Sequence, residues 1–168
     1  DSASGIPEGW TVKVKVDEEV QNVIDLIDAI GTVELTADCK AAIDAAKDAY
    51  DALDDDQKAD VANYETLTEA EEAYAALEEA AALAAAKEKL ATLLGTIENQ
   101  MEFLYSAGQT EAFDDLAAKA NDAFGVYLSA DSTVAQLNAA YDTLYPVYFN
   151  SYKTIVVGKL NDEVKEDD

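Results

Sequence analysis

Arginine and histidine are absent from this chain of 168 residues, so all 11 basic side chains are lysines, set against 36 Asp and Glu for a formal net charge of -25. Each absence removes a class of function. Without histidine no side chain has an unperturbed pKa near neutrality, and the commonest general base, metal ligand and triad partner is missing. Without arginine there is no bidentate fork for phosphate or carboxylate, and the net charge repels nucleic acid and anionic lipid. No enzyme, cofactor or nucleic-acid partner is therefore expected. With 36 acids, carboxylate pairs arise by chance everywhere, and nothing in the spacing marks one as catalytic.

Cysteine is nearly absent too. Cys39 is the only one and cannot close an internal disulfide. No run of 18 apolar residues exists, so no membrane-inserted segment is expected. The opening Asp1-Ser2-Ala3-Ser4-Gly5 has no charged-then-apolar leader. It is expected to be a mature end left by signal removal or a boundary within a larger protein. Prolines number two and glycines seven, while alanine comes in runs such as Ala80-Ala81-Ala82 and Ala84-Ala85-Ala86 among Glu, Leu and Lys. That is helix composition.

Along the chain, Thr11-Val12-Lys13-Val14-Lys15-Val16 alternates with the period of a strand but has no adjacent partner. Residues 1–16 are expected to be an extended linker or the end of a preceding domain. From Asp17 the period becomes helical, with Val20, Val23, Ile24, Ile27 and Ile30 on one face and Gly31 at the end. Thr36 can cap a second helix whose stripe runs Cys39, Ile43, Ala46, Tyr50, Leu53. Asp54-Asp55-Asp56 lacks the alternating ligands, central glycine and closing Glu of a calcium loop. It is expected to cap a short helix from Gln57 to Val61, and no metal site is expected.

Thr66 and Thr68 each precede a Glu by three residues, which predicts a helix starting there. It meets no breaker before Ala107-Gly108 except the isolated Gly95. Its stripe runs Ala70, Tyr74, Leu77, Ala81, Ala84 and then changes phase to Leu90, Leu94, Ile97, Met101, Leu104. At about 100° per residue the change turns the face by roughly 120°, so one helix is expected to serve two cores. A further helix from Thr110 is expected to bury Phe113, Leu116, Ala120, Ala123, Phe124 and Tyr127. The last opens at Thr133, with Gln136 completing a capping box, and its stripe runs Leu137, Tyr141, Leu144, Tyr148, Tyr152, Ile155. Pro146 lies opposite that stripe, which predicts one kinked helix and not two, stopping near Gly158.

The expected fold is thus all-α, with two three-helix bundles, residues 17–86 and 87–160, fused through a long shared helix between an extended segment at 1–16 and an acidic tail at 161–168. Leu26-Ile27-Asp28-Ala29-Ile30-Gly31, Ala49-Tyr50-Asp51-Ala52-Leu53, Gln57-Lys58, Val61, Asn63-Tyr64, Leu67 and Ala70-Glu71 make residues 20–77 similar to a helical module repeated in surface proteins of Gram-positive gut bacteria. Leu90, Ile97, Tyr105, Phe113, Leu116, Ala123, Thr133, Leu137, Ala140 and Leu144 make residues 84–148 resemble FIVAR modules. Phe113 stands where that family usually has Trp, and Pro146 with the aromatic run Tyr145 to Tyr152 departs from its pattern. The resemblance implies an extracellular, cell-wall-associated protein in which such bundles act as spacers or adhesive modules, one monomer within a larger multidomain chain.

One set of residues remains as a candidate binding surface. Tyr141, Tyr145, Tyr148, Phe149 and Tyr152 are gathered on the last helix, and exposed aromatics suit recognition of a host protein or glycan. Tyr141, Tyr148 and Tyr152 fall in the core phase. Tyr145 and Phe149 on the flank are therefore the partner-binding candidates.

Overall fold

The computed structural model describes residues 17–166, with side chains described as far as residue 157. The expected strand-like run at 12–16 lies outside the described residues. Among them every regular element is a helix: α1 (Glu18–Ile30), α2 (Ala37–Asp51), α3 (Asp55–Ala59), α4 (Tyr64–Ser106), α5 (Thr110–Leu128) and α6 (Val134–Glu166). They form two compact units, which divide between Glu78 and Glu79.

In the first unit the Asp17 carboxylate caps α1 by accepting the Glu19 N–H at 3.0 Å, and the helix ends where Gly31 takes φ +62°. Val20, Val23, Ile27 and Ile30 are its buried face. They repeat at steps of three and four, the spacing that keeps a helix face in register. Thr36 caps α2 through Cys39 N–H, and Cys39, Ile43 and Ala46 are buried against α1 with Leu53, Val61, Leu67, Ala70 and Tyr74. The acidic triplet behaves as a helix start. Asp54 accepts from Gln57 N–H at 2.9 Å while the Gln57 side chain accepts from Asp54 N–H at 3.0 Å, so each satisfies a donor the helix leaves open. The short helix covers Asp55–Ala59, two residues earlier than its expected Gln57 start.

The long helix begins at Tyr64, ahead of Thr66 and Thr68. Neither threonine caps it, because the turn Val61–Asn63 already feeds the helix through Tyr64 N–H on Val61 O and Thr66 N–H on Asn63 O. Thr68 lies inside the helix and turns its hydroxyl back onto Tyr64 O. The change of face also falls earlier than expected. Leu77, Ala81 and Ala84 are exposed, whereas Leu83 and Ala86 already belong to the second core. Tyr74 and Ala86, the last buried residue of the first stripe and the first of the second, are twelve residues apart. The longer count arises because alanine and glutamate fill the join, and so small a side chain leaves little to bury on either side.

In the second unit the stripe of α4 is Ala86, Leu90, Leu93, Ile97, Gln100, Leu104, all buried. Leu93 and Gln100 replace the expected Leu94 and Met101, which lie half-buried at its edge. Leu116 and Ala123 of α5 and Leu137 and Leu144 of α6 complete this core. The α4–α5 corner turns at Gly108, with φ +68°. Thr133 and Gln136 cap α6 reciprocally, at 2.9 Å from Thr133 N–H to Gln136 Oε1 and 3.3 Å from Gln136 N–H to Thr133 Oγ1. Pro146 is inside α6 with its ring exposed, and the helix continues unbroken to Glu166. The expected stop near Gly158 is thus corrected: the helix runs on as far as Glu166. A lone glycine costs a helix only about 1 kcal/mol against alanine, and no proline follows it.

Ile27 and Leu144 are essentially buried, at 1% and 0% exposure. Ile27→Ala and Leu144→Ala should each remove about 2–5 kcal/mol, the range for emptying a fully packed core site. Urea unfolding followed by far-UV circular dichroism measures both. A loss under about 1 kcal/mol at either site would contradict the packing described.

The first unit also carries an alkaline limit. The hydrogen bond to Asp44 raises the Lys40 pKa above 10.5, that to Glu71 does the same for Lys47, and burial lifts the Tyr50 phenol above 10.0. A group whose folded pKa exceeds its unfolded value adds stability below the unfolded pKa and loses it as pH climbs through the folded one. All three shifts therefore act in one direction. The urea midpoint of the first unit, read from a tryptophan placed at Ala45, should stay level through neutral pH and fall above about pH 10.

Candidate functional site

The candidate surface lies on α6 within the second unit. A core stripe on a helix advances by alternating threes and fours, so Leu137, Tyr141, Leu144, Tyr148, Ser151 and Ile155 turn inward. Tyr152, expected among them, falls one position past that seam and is 52% exposed. Ser151 takes the inward place because α4 offers it a partner. Gln100, itself buried, donates through Nε2 to both Ser151 Oγ and, at 2.9 Å, Tyr148 O. Ser151 Oγ donates in turn to Tyr148 O at 2.8 Å. A polar pair placed at one level of an apolar seam excludes a large ring there, since an unpaired amide would cost about 1–3 kcal/mol.

Tyr145 and Phe149 are 43% and 44% exposed. They form a row with Tyr141. The Tyr141 and Tyr145 ring centroids are 5.5 Å apart with planes 12° from parallel, and those of Tyr145 and Phe149 are 6.3 Å apart at 15°. Such offset, near-parallel rings suit the aromatic quadrupole. Lys89 of α4 places Nζ 3.8 Å from the Tyr141 centroid, and Lys153 places its own 4.9 Å from that of Phe149. The row thus carries two ammonium groups on its rings in a chain of net charge -25, with Glu88 in the lining beside Lys89.

Between α4 and α6 the row borders an open groove of about 470 Å³ lined by Glu88, Lys89, Thr92, Tyr141, Tyr145 and Tyr148, with neighbours. Its threonine hydroxyls point back into the helix, Thr92 to Glu88 O at 2.9 Å and Thr96 to Leu93 O at 2.7 Å. The arrangement can stack against a flat or apolar surface. It brings together no nucleophile with a base. Among the described residues no three acids or cysteines converge on a point where a metal could sit, and Cys39 is buried in the first core.

A second surface escaped the sequence. Phe124, expected in the core, is 46% exposed and lines a separate groove between α4 and α5. The signals for it were the glycine at 95 and the position of Phe124 directly beside the buried Ala123. No helix of the described residues is long and apolar enough to cross a membrane. In comparison with known proteins, no family model, no curated protein and no solved structure matches the chain.

Replacing Tyr145 and Phe149 together by Ser should lower the urea stability of the second unit by less than Leu144→Ala does, because half-exposed rings bury less apolar area. A double variant that unfolds at lower urea than Leu144→Ala would assign these rings to the core.

Proposed function

We propose that the chain is a non-enzymatic, extracellular helical module of a bacterial cell-surface protein, associated with the cell wall and acting as a spacer or adhesion support. The observation that carries this reading is α4. One helix of 43 residues supplies Leu67, Ala70 and Tyr74 to one core and Leu90, Ile97 and Leu104 to the next, so the chain passes between cores without a loop. The resemblance of residues 20–77 and 84–148 to modules of Gram-positive surface proteins, FIVAR modules in the second half, supports the same reading. So does the acidity, which keeps neighbouring copies apart.

A second reading is favoured by the aromatic row. In it the module binds a host protein or glycan through Tyr145 and Phe149. Half-exposed rings covered in part by Lys89 and Lys153 are suited to stacking on a partner's apolar face.

An array of mucins and matrix proteins distinguishes the two. The spacer reading expects no component to retain the native chain. Retention that Tyr145→Ser with Phe149→Ser abolishes would replace it with the second reading, and retention that survives both substitutions would contradict both.

A further inference from the structure

Gly95 stands in the interior of α4, where glycine is unfavourable relative to alanine. A Cβ added there would meet no atom within 4 Å, so nothing inside the chain requires its absence. Gly95 lies on the floor of an open groove of about 510 Å³ between α4 and α5, with Leu94, Met101, Ala120 and Phe124 among its apolar lining. Leu128, one turn beyond Phe124, extends the apolar strip and is 64% exposed. A glycine in such a place lets another backbone come close.

The charge around the groove is mostly acidic, with Lys87, one turn before Ala91 on α4, the exception. Glu98 is the charged residue of the lining. Glu102 follows it by one turn, and Asp114 precedes Asn121 by two turns on α5, which puts both on the same side of their helices. The ion pairs among the described residues join Lys40 to Asp44 and Lys47 to Glu71, so these three carboxylates are left to face outward. From Ala91 to Met101 the floor runs about 15 Å along α4, the length of roughly three helical turns.

An apolar floor between two helices accepts a third, and carboxylates at its edge select one with a basic border. A second copy of this chain does not fit that description. In each described helix acidic residues outnumber lysines, and pairing two chains of net charge -25 adds repulsion. We propose that the α4/α5 groove docks a basic amphipathic helix of a partner protein. Its apolar face lies over Gly95 and Phe124, and its lysines or arginines meet Glu98, Glu102 and Asp114.

The probe is a fluorescein-labelled synthetic Leu/Lys peptide with leucines at i, i+3, i+4 and i+7. Anisotropy is measured with the full chain at physiological salt, where charges beyond about 8 Å are screened. Comparison peptides are a scrambled sequence of the same composition and a Leu/Glu counterpart. Gly95→Trp fills the floor while removing a poor helix former, Phe124→Ser removes an exposed ring without adding bulk, and Ala45→Trp on α2 is the remote control.

Saturable binding of the Leu/Lys helix is expected. It should weaken about tenfold or more with Gly95→Trp and with Phe124→Ser, be unchanged with Ala45→Trp, and be at least about tenfold weaker for the scrambled peptide. Circular dichroism confirms that both groove variants stay helical. Equal binding of the scrambled peptide would reduce the effect to unspecific charge and overturn the proposal. Binding of the Leu/Glu peptide, absence of binding, or groove variants that bind like the native chain would overturn it as well. A native dimer in sedimentation that Gly95→Trp converts to monomer would assign the groove to a second copy instead.

Discussion

The double use of α4 is the constraint on which both cores depend. Each short bundle has too little apolar surface to be generous with it, and α4 contributes buried residues on one face to the first and on another to the second. The helix must therefore hold its phase through a stretch that neither core supports. Between Tyr74 and Ala86 only the half-buried Leu83 packs on a core. Alanine and glutamate, among the strongest helix formers, fill that gap, so intrinsic propensity replaces packing where packing is missing.

Charge works against this arrangement, and the chain answers it locally. The described ion pairs are two and both are exposed, so solvent screens them and they contribute little. Lysines also serve as covers for rings: Lys40 on Tyr74, Lys58 on Tyr50, Lys89 on Tyr141 and Lys153 on Phe149. A cation over a ring face lets the methylene stem pack on apolar surface while the charge stays in water. Cross-links between elements of the first unit include neutral and carboxylate-accepting hydrogen bonds. Asn63 Nδ2 donates to Ile24 O at 3.0 Å and Asp28 Oδ1 at 2.9 Å, tying the turn before α4 to α1. Tyr74 Oη donates to Thr36 O at 3.3 Å, fixing α4 against the start of α2.

Much of this was legible in the sequence because periodicity and caps are local. The stripe Val20, Val23, Ile27, Ile30, the Thr36 cap and the Thr133–Gln136 box all depend on residues within a few positions of one another. The failures share a different cause. Thr66 and Thr68 match a capping pattern, but whether a threonine caps depends on how the chain arrives, and Val61–Asn63 had already begun the turn. Tyr152 matches an apolar period, yet Gln100, 52 residues away, decides that Ser151 turns inward in its place. Phe124 was indistinguishable from its neighbour Ala123 until α4 fixed which of the two looked inward. Pattern names the face to within about one residue, and only the partner helix chooses within that margin. The same limit applies to the surfaces: the aromatic row was visible as composition, while the α4/α5 groove exists only once Gly95 is set opposite Phe124.

The two units also differ in what they leave in water. Among the described residues of the first, the large apolar residues exposed are Leu35, Tyr64 and Leu77. In the second they include Phe103, Tyr105, Phe124, Leu128, Tyr145, Phe149 and Tyr152. A neutral protein with so many exposed rings on a small bundle would invite self-association, because contiguous apolar patches bury themselves wherever they can. A net charge of -25 changes that balance. Repulsion between like chains acts over about a Debye length, roughly 8 Å at physiological salt, and so opposes approach before apolar contact can form. A partner that is uncharged or basic meets no such barrier. Like charge in this chain therefore works against self-association of its exposed apolar surface.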